Sequence, residues 1–162
     1  MSASPRINST LLVLFCGWAL SVAIGAGAAP AECPQPRFTG KAPDDYYTRV
    51  NPFATGHVGI RAAEAVFQGD SGSANCAFCH GKKGNGKGPL SGQFDPPPRN
   101  FACAQTINGV PDGQLFWIIR FGSPGTGMPP HPSLKDDEVW QMVLYLRQLA
   151  KEPSRKLVFA NA

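Results

Sequence analysis

The chain has 162 residues, 43% of them hydrophobic, and 15 Lys and Arg against 11 Asp and Glu give a net charge of +4. That length suits one domain. The charge is too modest, and too poor in aromatic-basic interleaving, for a nucleic-acid-binding surface.

The N-terminus reads as an export signal. Arg6 supplies a basic start, 11–24 is almost wholly apolar, and Ala26-Gly27-Ala28-Ala29-Pro30-Ala31 offers small residues for cleavage. The apolar core is shorter than the roughly 20 residues that cross a bilayer. No stable membrane span is therefore expected once 1–31 is removed; an uncleaved anchor is the alternative. No twin-Arg pair precedes the core, which points to export of an unfolded chain and a periplasmic destination. Removal leaves 131 residues and four of the five cysteines, and lowers the net charge to +3, because only Arg6 leaves.

Residues 32–57 are rich in Pro, Gly and charge, including Cys33-Pro34-Gln35-Pro36, and show no sustained period. They read as an irregular extension. A first helix is expected over 58–68, where Ile60, Ala63, Val66 and Phe67 share one face. Gly69-Asp70-Ser71-Gly72 ends it.

Next comes Cys76-Ala77-Phe78-Cys79-His80. A Cys-x-x-Cys-His run is the attachment signature of a c-type haem. Two thiols at that spacing add to the two vinyl groups of one porphyrin, and the adjoining imidazole becomes the proximal iron ligand. A zinc site would need a second closely spaced pair, and Cys33, Cys103, His57 and His131 form none. A redox dithiol would want a βαβ setting, which the flanking residues lack. One haem c, held by Cys76 and Cys79 and ligated by His80, is the expectation. In so small a chain the macrocycle would supply much of the core.

Residues 81–100 form a Gly/Lys/Pro loop, in which Lys82, Lys83 and Lys87 make either a solvated loop or a positive rim for an acidic redox partner. Cys33 and Cys103 are the leftover pair, and an oxidising compartment permits a disulfide between them. A middle helix is expected from Asp112, as N-cap, to Phe121. Within it Trp117 either packs in the core or turns its polar edge to a haem propionate. Gly122 ends that helix, and the loop Gly127-Met128-Pro129-Pro130 follows, 48 residues after His80 at its Met. A thioether is a fitting sixth ligand for an electron carrier. Met128 is therefore the expected distal ligand, with His131 its rival and His57 a weaker one. Met142 sits in the apolar stripe of the last helix and reads as core. That helix opens with Asp136, Asp137 and Glu138 at its dipole-favoured end and carries Val139, Met142, Val143 and Leu146 on one face. Arg147 and Lys151 suit its C-terminal end. No period-two segment appears, so the fold is expected to be all-α with long loops: an extension over 32–57, one domain over 58–151 and a tail over 152–162.

The haem motif with Gly81, then Gly86-Lys87-Gly88-Pro89-Leu90, the Gly127-Met128-Pro129 loop and the helix from Leu134 to Arg147 resemble the class I c-type cytochromes. The resemblance covers 58–150 and implies the class I cytochrome c fold, three to four helices and long loops around one covalent haem. It implies that the first and last helices cross, with Phe67 meeting Tyr145. It also implies that the carbonyl of Pro89 accepts the Nδ1–H of His80, and that Arg99 pairs with a propionate. The cysteine-bearing extension goes beyond the family pattern.

Three functions remain open at this point. The first is a diffusible carrier passing single electrons between a redox-protein donor and acceptor. The second is a fixed subunit of a dehydrogenase or terminal oxidase. The third is a haem enzyme or sensor with an open sixth position. Met128 favours the first, because it fills the position that catalysis needs vacant.

Overall fold

A computed structural model of the chain describes Met1 and residues 33–56 and 59–151. The rest of the expected signal, His57 and the tail 152–162 lie outside the described residues. The elements in order are α1 (Asp44–Tyr47), α2 (Ile60–Gln68), α3 (Ala77–His80), a 3-10 turn (Ser91–Gln93), α4 (Ala104–Ile107), α5 (Asp112–Phe121) and α6 (Asp136–Lys151). No strand occurs among the described residues; Asn85 and Asn100 make an isolated antiparallel bridge. No described helix is long and apolar enough to cross a membrane.

The three longest helices carry the core. α6 crosses α2, and the Phe67 and Tyr145 rings meet there with centroids 5.3 Å apart, as the resemblance implies. α5 packs on the same helix through Phe116, whose ring lies 4.3 Å from that of Trp140. Val139, Met142, Val143 and Leu146 are all buried, so the stripe read from the sequence is the packed face. Glu138 reaches back to the backbone N–H of Lys135 at 2.7 Å, which satisfies an otherwise orphaned donor at the start of α6. α5 has the expected bounds, but Pro111 is its N-cap and Asp112 does not cap. The Asp112 carboxylate instead accepts from Arg147 at 2.7 Å.

The extension is more ordered than its composition suggests. It contains α1, whose Tyr46 ring lies 5.3 Å from Phe121 and 6.2 Å from Phe116. Gln114 of α5 is fully buried; its Oε1 accepts from Ala42 N–H at 2.7 Å and its Nε2 donates to Gly40 O at 3.1 Å. Close approach is possible because residue 113 is Gly: a Cβ there would sit 1.9 Å from Tyr46 O. Cys33 and Cys103 form a disulfide, with Cα atoms 5.6 Å apart. The segment is therefore a strap fastened to the domain at several points.

Candidate functional site

α3 is a single turn set by the haem motif itself. Its backbone is braced from outside: Gly88 N–H donates to Cys79 O at 3.0 Å and Leu90 N–H to Phe78 O at 3.1 Å. Gly88 is needed for that brace, since a Cβ would meet Phe78 O at 2.3 Å. Beside α3 lies a largely apolar cavity of about 1240 Å³, its open mouth included. Cys76, Cys79, His80, Met128 and His131 all line it, with Leu115, Ile118 and Ile119 of α5 behind them.

Cys76 and Cys79 are free thiols. Burial pushes Cys76 up to about 11 and also raises Cys79, so both are protonated at neutral pH. His80 is buried, and its Nδ1 stands 3.0 Å from Arg99 O. A carbonyl only accepts, so Nδ1 carries the proton and Nε2 keeps its lone pair. Burial holds the imidazole down to about 4; the Arg99 bond opposes that shift and nearby His131 adds to it. Phe101 stacks on the ring at 4.4 Å and fixes its plane.

The carbonyl bonded to His80 is thus that of Arg99, not Pro89. Residues 88–90 are tied to the backbone of α3, which keeps Pro89 away from the imidazole and out of the cavity wall. Arg99 is itself a residue of that wall. Its Nη1 donates to Pro36 O at 2.7 Å and Gln35 O at 3.3 Å, and burial followed by Arg37 nearby lowers its pKa. Trp117 does not line the cavity. On α5 the cavity face is Leu115, Ile118 and Ile119, and a residue one position off that 3/4 repeat is turned away by about 100°. Trp117 lies instead 6.2 Å from the Phe121 ring. Lys82, Lys83 and Lys87 are exposed and outside the cavity lining.

The Met128 loop is held in place by its own backbone and by α5. Ser123 N–H donates to Met128 O at 3.1 Å, Met128 N–H to Thr126 Oγ1 at 3.2 Å, and His131 N–H to Ile119 O at 3.2 Å. Arg120 donates to the carbonyls of His131 and Pro132 at 3.4 Å each, to that of Leu134, and to Asp136. Both Met128 and His131 reach the cavity. The strap, irregular in sequence, covers the near side: Gln35, Arg37, Phe38 and Thr39 are also cavity residues.

The donor set fits a covalently held haem: two free thiols and a neutral imidazole with a free Nε2 on one wall, and a thioether on the Met128 loop of the same apolar cavity. Among the described residues, no three His, Cys, Asp or Glu side chains gather into a metal-ion site. Fold and site together define an all-α protein built to hold haem through a Cys-x-x-Cys-His turn. Residues 61–150 match the family model Cytochrome c, and the chain belongs to that family. Membership implies a covalently bound c-type haem. No curated protein matches the chain. A solved structure of the Kuenenia stuttgartiensis reducing HAO-like protein complex is similar at 26% identity and a TM-score of 0.48, over 57% of this chain and 44% of that one. The chain thus spans less than half the length of that neighbour.

Proposed function

We propose that this protein is a periplasmic monohaem cytochrome that carries single electrons between redox proteins, with its iron held between His80 and Met128. The observation that carries the reading is that His80 and Met128 line one cavity whose wall also holds both thiols. When bound, the haem supplies a one-electron couple. The chain supplies everything else. Cys76 and Cys79 anchor the macrocycle, the Arg99 carbonyl keeps the proton of His80 on Nδ1, and the apolar wall limits water around the site. Met128 in the sixth position leaves no coordination site for substrate, which supports transfer rather than catalysis.

The strap supports a self-contained carrier over a docked subunit, because it folds back on the cavity of its own domain. The leader-like sequence of 1–31 and the disulfide, which persists in an oxidising compartment, support the exported reading. Spectra of the exported protein test the ligand set. The oxidised form should show the weak long-wavelength band of thioether ligation, and Met128→Ala should abolish it. A band that survives Met128→Ala and disappears in His131→Ala would transfer the ligand role to His131. Mass measurement should find one haem per chain.

A further inference from the structure

The hydrogen bond from His80 ends on a peptide unit whose other polar group is also taken. The C=O of Arg99 and the N–H of Asn100 belong to one planar amide. Gln35 Oε1 accepts from that N–H at 2.6 Å, and its Nε2 donates to Pro98 O at 3.2 Å on the preceding side. Gln35 itself is fastened twice: its N–H donates to Thr106 Oγ1 at 3.1 Å, and its carbonyl accepts from the Arg99 guanidinium.

We propose that Gln35, in the strap, is a positioning residue for the proximal ligand, orienting and polarising the Arg99–Asn100 amide on which the His80 Nδ1–H bond depends. This rests on the reading of His80 as the proximal haem ligand. A trans amide has its C=O and N–H on opposite sides, so fixing the N–H on Gln35 aims the carbonyl at His80. Bonds in series through one amide also reinforce each other, by about 10–30% per bond. The chain Gln35 Oε1, Asn100 N–H, Arg99 C=O, His80 Nδ1–H therefore draws the histidine proton outward. A more basic Nε2 results, which favours the oxidised metal. The bond from Gln35 Nε2 to Pro98 O and that from the Arg99 guanidinium to Gln35 O prevent the amide from rotating out of line.

The test uses the intact, haem-loaded protein. Gln35→Met keeps the side-chain length and removes both amide bonds. Two changes are expected: the reduction equilibrium against a reference protein shifts several-fold toward the reduced form, and the His80 Nδ1 proton of the reduced protein exchanges with solvent about tenfold faster by NMR. Thr106→Val, which removes only the bond to the Gln35 backbone, should leave both readouts at wild type; general loosening of the strap would move both variants alike. Gln35→Glu keeps an acceptor for Asn100 N–H and should restore slow exchange. Should the Met variant lose its haem, Gln35→Ser is too short to reach Asn100 and carries the same test. Wild-type potential and exchange in either variant overturn the proposal. A wild-type protein without attached haem by mass would sink the functional reading first, and this one with it.

Discussion

His80 has to remain neutral to offer Nε2 to a metal, and its setting secures this without any acidic neighbour. Burial is the largest influence and holds its pKa down to about 4, against 6.5 for the free side chain. The same fact fixes a pH dependence. Between pH 6.5 and 4 the unfolded chain protonates this imidazole while the folded chain does not. The unfolded state then binds more protons, so stability is present above 6.5 and is lost as pH falls toward 4. Burial lowers His131 as well, which adds in the same direction. Thermal melting of the intact protein should therefore give a level midpoint near neutrality and a falling one through that window. A midpoint unchanged down to pH 4 would contradict it.

Helices α5 and α6 are joined by one arginine that the sequence places only as a favourable C-terminal charge. Arg147 donates to the carbonyls of Ile107, the last residue of α4, and Val110, in the turn before α5, and pairs with Asp112 at the start of α5. The two side chains are only 20% and 24% exposed. Arg147→Met would strand the Asp112 carboxylate and the Val110 carbonyl at that junction, so a loss of about 2–4 kcal/mol is expected. Urea titration should show a lower midpoint with an unchanged slope. By contrast Lys41→Ala, which breaks an exposed pair with Asp44, should leave the midpoint within error. This contrast also explains what was legible beforehand. α2, α5 and α6 are each long enough to show a 3.6 period, and their apolar faces are the ones that pack. α1, α3 and α4 have four residues each, too few for a period to register. The thiols, His80 and Met128, which line one cavity, stand out in a sequence because their chemistry belongs to their side chains. The partner of Nδ1 is Arg99 O and not the Pro89 carbonyl that the resemblance implies, because a backbone carbonyl is the same group in every residue and only the path of the chain decides which one arrives. Gln35 and Gln114 left no signal either: each is a lone polar residue whose role depends on contacts more than 60 positions away.

At the scale of the whole molecule, the strap turns a small haem domain with an open cavity into one closed along a further side. Its anchors differ in kind. Gln114 and Tyr46 hold the middle, Gln35 and Arg99 hold the cavity edge, and the Cys33–Cys103 bond ties the beginning. The disulfide spans 70 residues, so in the chain-entropy account it removes about 4 kcal/mol worth of freedom from the unfolded state. Replacing both cysteines by serine should lower the denaturation midpoint by that order. It should not abolish the haem environment, because the bonds that hold His80, the Met128 loop and α3 involve neither cysteine. The spectrum of the folded double variant is thus expected to match wild type while its unfolding transition moves to lower denaturant. A thiol reductant acting on the wild-type protein should produce the same displacement. A loss under about 1 kcal/mol would mean that the denatured chain already keeps the strap near the domain. The non-covalent anchors would then be sufficient, and the cover over the cavity would be a property of Gln35, Gln114 and Tyr46 rather than of the covalent tie.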